Sequence, residues 1–277
     1  KNYFKINFTP NLLLKHYRFS FTLILSTICF VIFQNLDRFI LRVNSSSLLF
    51  AEYSTALTIS LISALIVTAI SSSDFPFLKK ISVLKKEINE IMALKMSESM
   101  NLMFLISIIL ISSNDLILEI FAKEYYTFQT TLCLNLLVVN NFFRLKYLYN
   151  ENNLFILDKN RQILVAKFFI LVSGILFLNI LISKNPLVSF PIAFIVTFFL
   201  ADLISNAMIT SKIFNISSKE LKIYLNGLIL MLISFSLYFL KIHDISNSVY
   251  YSLKIFLIII SLIFLIRKIL AKIILSR

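Results

Sequence analysis

The chain has 277 residues, 58% of them hydrophobic, and carries 27 Lys and Arg against 14 Asp and Glu, a formal net charge of +13. Its mean hydropathy of +0.87 is more than a soluble core absorbs, since ordinary soluble domains are about 45 to 50% apolar. With only Gly174 and Gly227 as glycines the chain lacks glycine-rich phosphate loops, and its basic residues fall between apolar stretches, which argues against a nucleotide enzyme and against a nucleic-acid partner.

About twenty apolar residues cross the hydrocarbon of a bilayer. Taken in order, the runs that meet this are Phe19 to Leu41, Glu52 to Ser72, Met100 to Ile120, Thr127 to Leu148, Ile163 to Ile182, Val188 to Thr210, Ile223 to Leu240 and Tyr250 to Ile269. They do not alternate as barrel strands would, and in lipid a helix pairs its backbone within itself, so the expected fold is all-α, a bundle of about eight transmembrane helices. Pro76 is expected to end the second span, and Pro186 and Pro191 to bracket the start of the sixth. Between the second and third spans, Ile81, Leu84, Ile88 and Ile91 recur at three- and four-residue spacing within Lys79 to Met96. This segment reads as an interfacial amphipathic helix or as a solvated helix packed on the bundle.

With the N-terminus on the cytoplasmic side, about twenty Lys and Arg fall inside, and Arg38, Arg42, Lys123, Lys184, Lys241 and Lys254 fall outside or at outer helix ends. The bias sets both termini in the cytoplasm. No leader precedes the first span, and a start at Lys1 suggests a chain that begins inside a longer protein. Cys29 and Cys133 lie in apolar runs and read as packed thiols; His16 and His243 have no ligand cluster around them, so neither a disulfide nor a metal is expected.

Charges within spans ask for partners, cavities or a snorkelling route. Gln34, Asp37, Arg38 and Arg42 share one sector of the first span, a polar stripe that either lines an aqueous cavity or closes on itself as an Asp–Arg pair. On the sixth span Asp202, Ser205, Asn206 and Thr210 share a face. Asp202 reads as a cation or proton site, as a counter-charge to an Arg on a neighbouring helix, or as a helix–helix hydrogen bond. Asn140, Asn141, Arg144 and Lys146 read as the inner cap of the fourth span rather than as a substrate site, and Lys167 and Lys254 as snorkelling lysines. No Gly-x-Ser-x-Gly elbow or His-Glu-x-x-His helix is present, and no enzyme activity is expected.

The stretch Gln34-Asn35-Leu36-Asp37-Arg38, the following Ala51-Glu52-Tyr53, then Phe75-Pro76-Phe77-Leu78, and the external segment Phe121-Ala122-Lys123-Glu124-Tyr125 together resemble the polysaccharide-biosynthesis flippases. These are the O-antigen and capsule repeat-unit translocases of the multidrug and polysaccharide exporter superfamily. Ala51 and Ala122 depart from the pattern where glycine is usual. The resemblance implies the second half of such a protein: a lead-in over 1–18, a six-helix lobe over 19–213 and two additional helices over 214–277, with the N-terminal lobe missing. It also implies translocation of an undecaprenyl-diphosphate-linked oligosaccharide across the bacterial inner membrane, with no cofactor. Partners would be the bilayer, the lipid-linked substrate and other polysaccharide-assembly proteins. On this basis Gln34, Arg38 and Arg42 are expected to bind substrate, and Asp37, Asp202 and Asn206 to line the cavity or couple an ion. A membrane-embedded polymerase or glycosyltransferase, or a membrane fragment without transport, are the alternatives.

Overall fold

A computed structural model describes residues 10–82, 88–181, 185–210, 217–242 and 247–275. Among these the chain is helical throughout: α1 (Pro10–Asn44), α2 (Ser47–Ser82), α3 (Ile88–Phe121), α4 (Phe128–Ile156), α5 (Asn160–Leu181), α6 (Pro186–Thr210), α7 (Ser218–Ile242) and α8 (Asn247–Leu275), with one 3-10 turn at Lys123–Tyr125. Seven of the eight, all but α4, are long and apolar enough to cross a membrane. Together they make a multi-pass membrane protein.

The exception has a physical reason. α4 is sheathed by α2, α3, α6 and α7, and most of its side chains are buried. A helix that meets protein instead of lipid needs no apolar surface, so α4 can carry Asn135, Asn141, Lys146 and Asn150 in its buried set. Its broadest interface is with α6, and the two run parallel in fixed register. Phe143 meets Phe199 edge-on at 6.2 Å, and Lys146 reaches Asp202, each pair being 56 residues apart.

Local signals set the helix ends. Thr127 caps α4, its hydroxyl accepting from the Thr130 amide at 3.1 Å. At the other end Asp158, with φ of 55°, takes the left-handed position usually given to glycine. Lys159 donates to the Leu154 carbonyl at 2.9 Å and Asp158 to Phe155 at 3.1 Å, the paired bonds of a Schellman turn. Ser217 and Glu220 form a capping box at the start of α7, with Ser217 N to Glu220 Oε2 at 2.9 Å and Glu220 N to Ser217 Oγ at 3.3 Å. Pro186 opens α6 at its first helical position, where no amide is missed.

Two expectations need correction. Pro76 does not end α2 but lies inside it, where it leaves the Ser72 carbonyl without its intrahelical donor, and the helix runs on to Ser82. Pro191, in contrast, lies just inside α6 as its place in the sixth span implies. The segment from Lys79 to Met96 is not a separate surface helix, because its described residues continue α2 and open α3; Leu84, Lys85, Lys86 and Glu87 lie outside the described residues, as do His243 and Lys184. Three- and four-residue spacing identifies a helix but not where it joins its neighbours. α1 begins at Pro10, within the stretch expected as a lead-in.

The two glycines sit where helices meet aromatic rings. A Cβ on Gly227 would lie 2.5 Å from Phe143 Cζ, and one on Gly174 would press into the Phe33 ring. Close approach, not turn geometry, explains both. α7 packs on α4 and α3, whereas α8 packs on α3 and barely touches α7.

Candidate functional site

α1 and α2 touch little, and between them lies a cavity of about 440 Å³ backed by α4 and α6. Its polar lining comes from Gln34, Asn35, Asp37 and Arg38 of α1, Ser60 and Thr68 of α2, and Asn140, Asn141 and Arg144 of α4; Phe33, Phe194 and Phe198 form an aromatic wall. Phe33 stands edge-on to Phe194 at 5.0 Å and to Phe198 at 5.6 Å, so that wall is rigidly packed.

The polar stripe of α1 does line a cavity, and the Asp–Arg closure is not what holds it. Asp37 is 1% exposed. Its Oδ2 accepts from the Tyr53 hydroxyl of α2 at 2.6 Å, and its Oδ1 from the Arg38 backbone amide at 2.8 Å. Two segments that carry the family resemblance therefore meet in space. With Asp37 held this way, the exposed Arg38 side chain remains at the cavity. Gln34 lines it as well, whereas Arg42, one turn further along α1, is exposed and outside the lining.

Arg144 was expected as an interface cap and is instead a cavity residue. Its guanidinium lies 5.7 Å from the centre of the Phe30 ring, and its buried Nε has no hydrogen-bond partner among the described residues; the same holds for Asn140 Oδ1. Asn141 is tied down, donating to Ser63 Oγ at 2.6 Å and to the Ser60 carbonyl at 3.3 Å. Interface caps and cavity residues look alike in sequence, because both are polar residues near the end of an apolar run.

Asp202 and Asn206 are buried but do not line this cavity. Asp202 is a counter-charge, and its partner is a lysine. Lys146 Nζ lies 3.2 Å from Asp202 Oδ1 and 3.6 Å from Glu220 Oε1. Asn150 Nδ2 donates to Asp202 Oδ1 at 2.7 Å, and the Tyr224 hydroxyl donates to Oδ2 at 2.5 Å. The cluster joins α4, α6 and α7 through one ammonium shared by two carboxylates, each of them also hydrogen-bonded.

The two lysines expected to snorkel are also buried and paired. Lys167 reaches Glu151 Oε1 at 2.6 Å. Lys254 reaches Asp115 Oδ2 at 2.5 Å, an oxygen shared with Lys241 at 3.4 Å and with the Tyr250 hydroxyl. Lys241 also meets the Tyr126 hydroxyl and lies 4.6 Å from the centre of that ring. A third carboxylate, Asp74, accepts from Ser99 Oγ at 2.7 Å and the Tyr149 hydroxyl, and pairs with Lys95 at 3.3 Å. These acids were visible in the sequence, but their partners lie on helices that hydropathy does not order.

No protein-family model matches the sequence, and no curated protein matches it. Among solved structures, the lipid II flippase MurJ in an inward closed conformation superposes with a TM-score of 0.61 at 16% identity, covering 99% of this chain and 57% of that one. The chain thus spans a little over half the length of the protein it matches. At that identity the likeness is one of fold: this chain is folded as part of a lipid II flippase is folded.

Proposed function

We propose that the chain is one lobe of a flippase that carries a lipid-linked oligosaccharide, attached through a diphosphate to undecaprenol, from the inner to the outer leaflet of a bacterial inner membrane. The observation that carries this reading is the convergence of Arg38 and Arg144 on one cavity, together with carboxamides from Gln34, Asn35, Asn140 and Asn141, in a chain with the fold of a flippase. Guanidinium groups pair phosphate oxygens through charge-assisted bonds, and carboxamides suit the hydroxyls and amides of sugars. Asp37 holds the backbone beneath Arg38, and Arg42 offers a further cation one turn beyond the cavity. The Asp202 cluster sets the spacing of α4, α6 and α7.

O-antigen, capsule or exopolysaccharide assembly is the setting the sequence resemblance favours, with both termini cytoplasmic. α1 to α6 form the exporter lobe and α7 and α8 are additions to it. A second lobe closes the cavity across the gap between α1 and α2, and the two rock in alternating access. The test is export of surface glycan in cells whose only copy of the full-length protein carries Arg38→Gln and Arg144→Gln. Export is expected to fall about tenfold or more, the effect of losing a charge-assisted bond, with expression unchanged and lipid-linked sugar accumulating. Undiminished export with both arginines replaced overturns the assignment of the cavity.

A further inference from the structure

Asn140, Arg144, Tyr147 and Glu151 follow one another along a single face of α4 at spacings of four, three and four. The first two line the cavity; the last two continue below it, toward the α4–α5 turn. There Glu151 holds Lys167 of α5 at 2.6 Å through Oε1. Phe30 of α1 lies under both cations, its ring centre 5.3 Å from Lys167 Nζ and 5.7 Å from Arg144 Cζ. Arg144 has no ion pair of its own among the described residues, and the carboxylate on its own face of α4 is Glu151, two turns along. Tyr147 stands beside Glu151 as a hydrogen-bonding neighbour on that face, and Asp202 of α6 is engaged by Lys146, Asn150 and Tyr224. The floor of the cavity thus sets two cations against a single carboxylate.

We propose that Glu151 is the standing counter-charge of this floor: it masks Lys167, lowers the potential at Arg144, and so sets how tightly the cavity holds a phosphate-bearing ligand. A carrier must release what it binds, and a floor with two unmasked cations in low dielectric would trap a diphosphate. Glu151 acts through Arg144 and Lys167 as a positioning residue. The proposal rests on the reading of the cavity as a diphosphate site. Two helical turns separate Glu151 from Arg144, about 11 Å, and at an effective dielectric constant of about 20 a unit charge at that distance changes anion affinity about tenfold.

The experiment is calorimetric titration of the purified full chain with inorganic pyrophosphate at fixed ionic strength. Glu151→Gln is expected to bind about tenfold tighter and Lys167→Met more weakly. The double variant Glu151→Gln with Lys167→Met, which removes both charges of the pair, should return close to the native affinity. A gain in affinity is not a product of a loosened fold, so the result separates electrostatic tuning from a structural role. Equal or weaker binding by Glu151→Gln overturns the proposal, and so does a double variant that differs from native as much as either single one. If native binding is lost in Arg144→Gln while Glu151→Gln leaves it unchanged, the cavity reading stands and this inference fails. Binding that ignores Arg38 and Arg144, or no binding in any variant, overturns both.

Discussion

Lys146 shows what a single residue contributes in this protein. It is fully buried, between Asp202 and Glu220 on two other helices. Removing one member of such a group costs far more than removing the group, because it leaves charge buried without a partner. Lys146→Met is therefore expected to destabilise by about 3 to 5 kcal/mol, read as a lower thermal midpoint in detergent. Lys146→Met combined with Asp202→Leu should recover much of that loss; a double variant as unstable as the single one would show that the pairing is not what holds α4 to α6. Asp202 could be picked out in the sequence as a deep carboxylate, since a charge inside an apolar run is conspicuous. Lys146 could not be matched to it, because hydropathy gives each helix a depth but no neighbour. The pairing of Lys167 and Lys254 is hidden in the sequence for the same reason: a lysine a few residues from a span end snorkels or pairs according to what faces it.

The elements differ in how they are fastened, and that difference is measurable. α4 is held on four sides by helices, whereas α8 rests on α3 and barely touches α7. Its polar attachment is Asp115, which gathers Lys254 and Tyr250 from α8 and Lys241 from α7. Asp115→Asn removes the charge both lysines answer. It is expected to raise amide hydrogen exchange in α8 well above that in α4, since exchange follows local opening; equal protection of α8 in native and variant would assign its docking to apolar contact alone. Lys254 is more deeply buried and closer to the carboxylate than Lys241, so Lys254→Met should cost the greater share of stability. The turn after α4 offers the opposite sign. Asp158 occupies a left-handed position at φ of 55°, and Asp158→Gly is expected to raise the thermal midpoint by an amount equivalent to about 0.5 to 1 kcal/mol. The helices themselves were legible from runs of apolar residues. α4 was legible only as one more run, because its polar residues suggested an interface when they belong to the centre of the bundle.

At the scale of the molecule the sidedness of the bundle decides what the cavity is for. On the proposed topology from the charge bias, the α4–α5 turn would face the cytoplasm and the 3-10 turn at Lys123–Tyr125 would face out. Arg144 and the Lys167–Glu151 pair would then meet a substrate arriving from inside, with Arg38 further along toward the outer leaflet. The order of the cations gives an anion a direction only if that sidedness holds. It can be tested with little engineering, because Cys29 and Cys133 are both buried and should stay silent toward a membrane-impermeant maleimide. Glu124 and Asp158 are exposed at opposite ends of the bundle. In intact cells Glu124→Cys should label without permeabilisation and Asp158→Cys only after it. The reverse pattern would put the Glu151 end outside, so that an anion following the same order of cations would enter from outside.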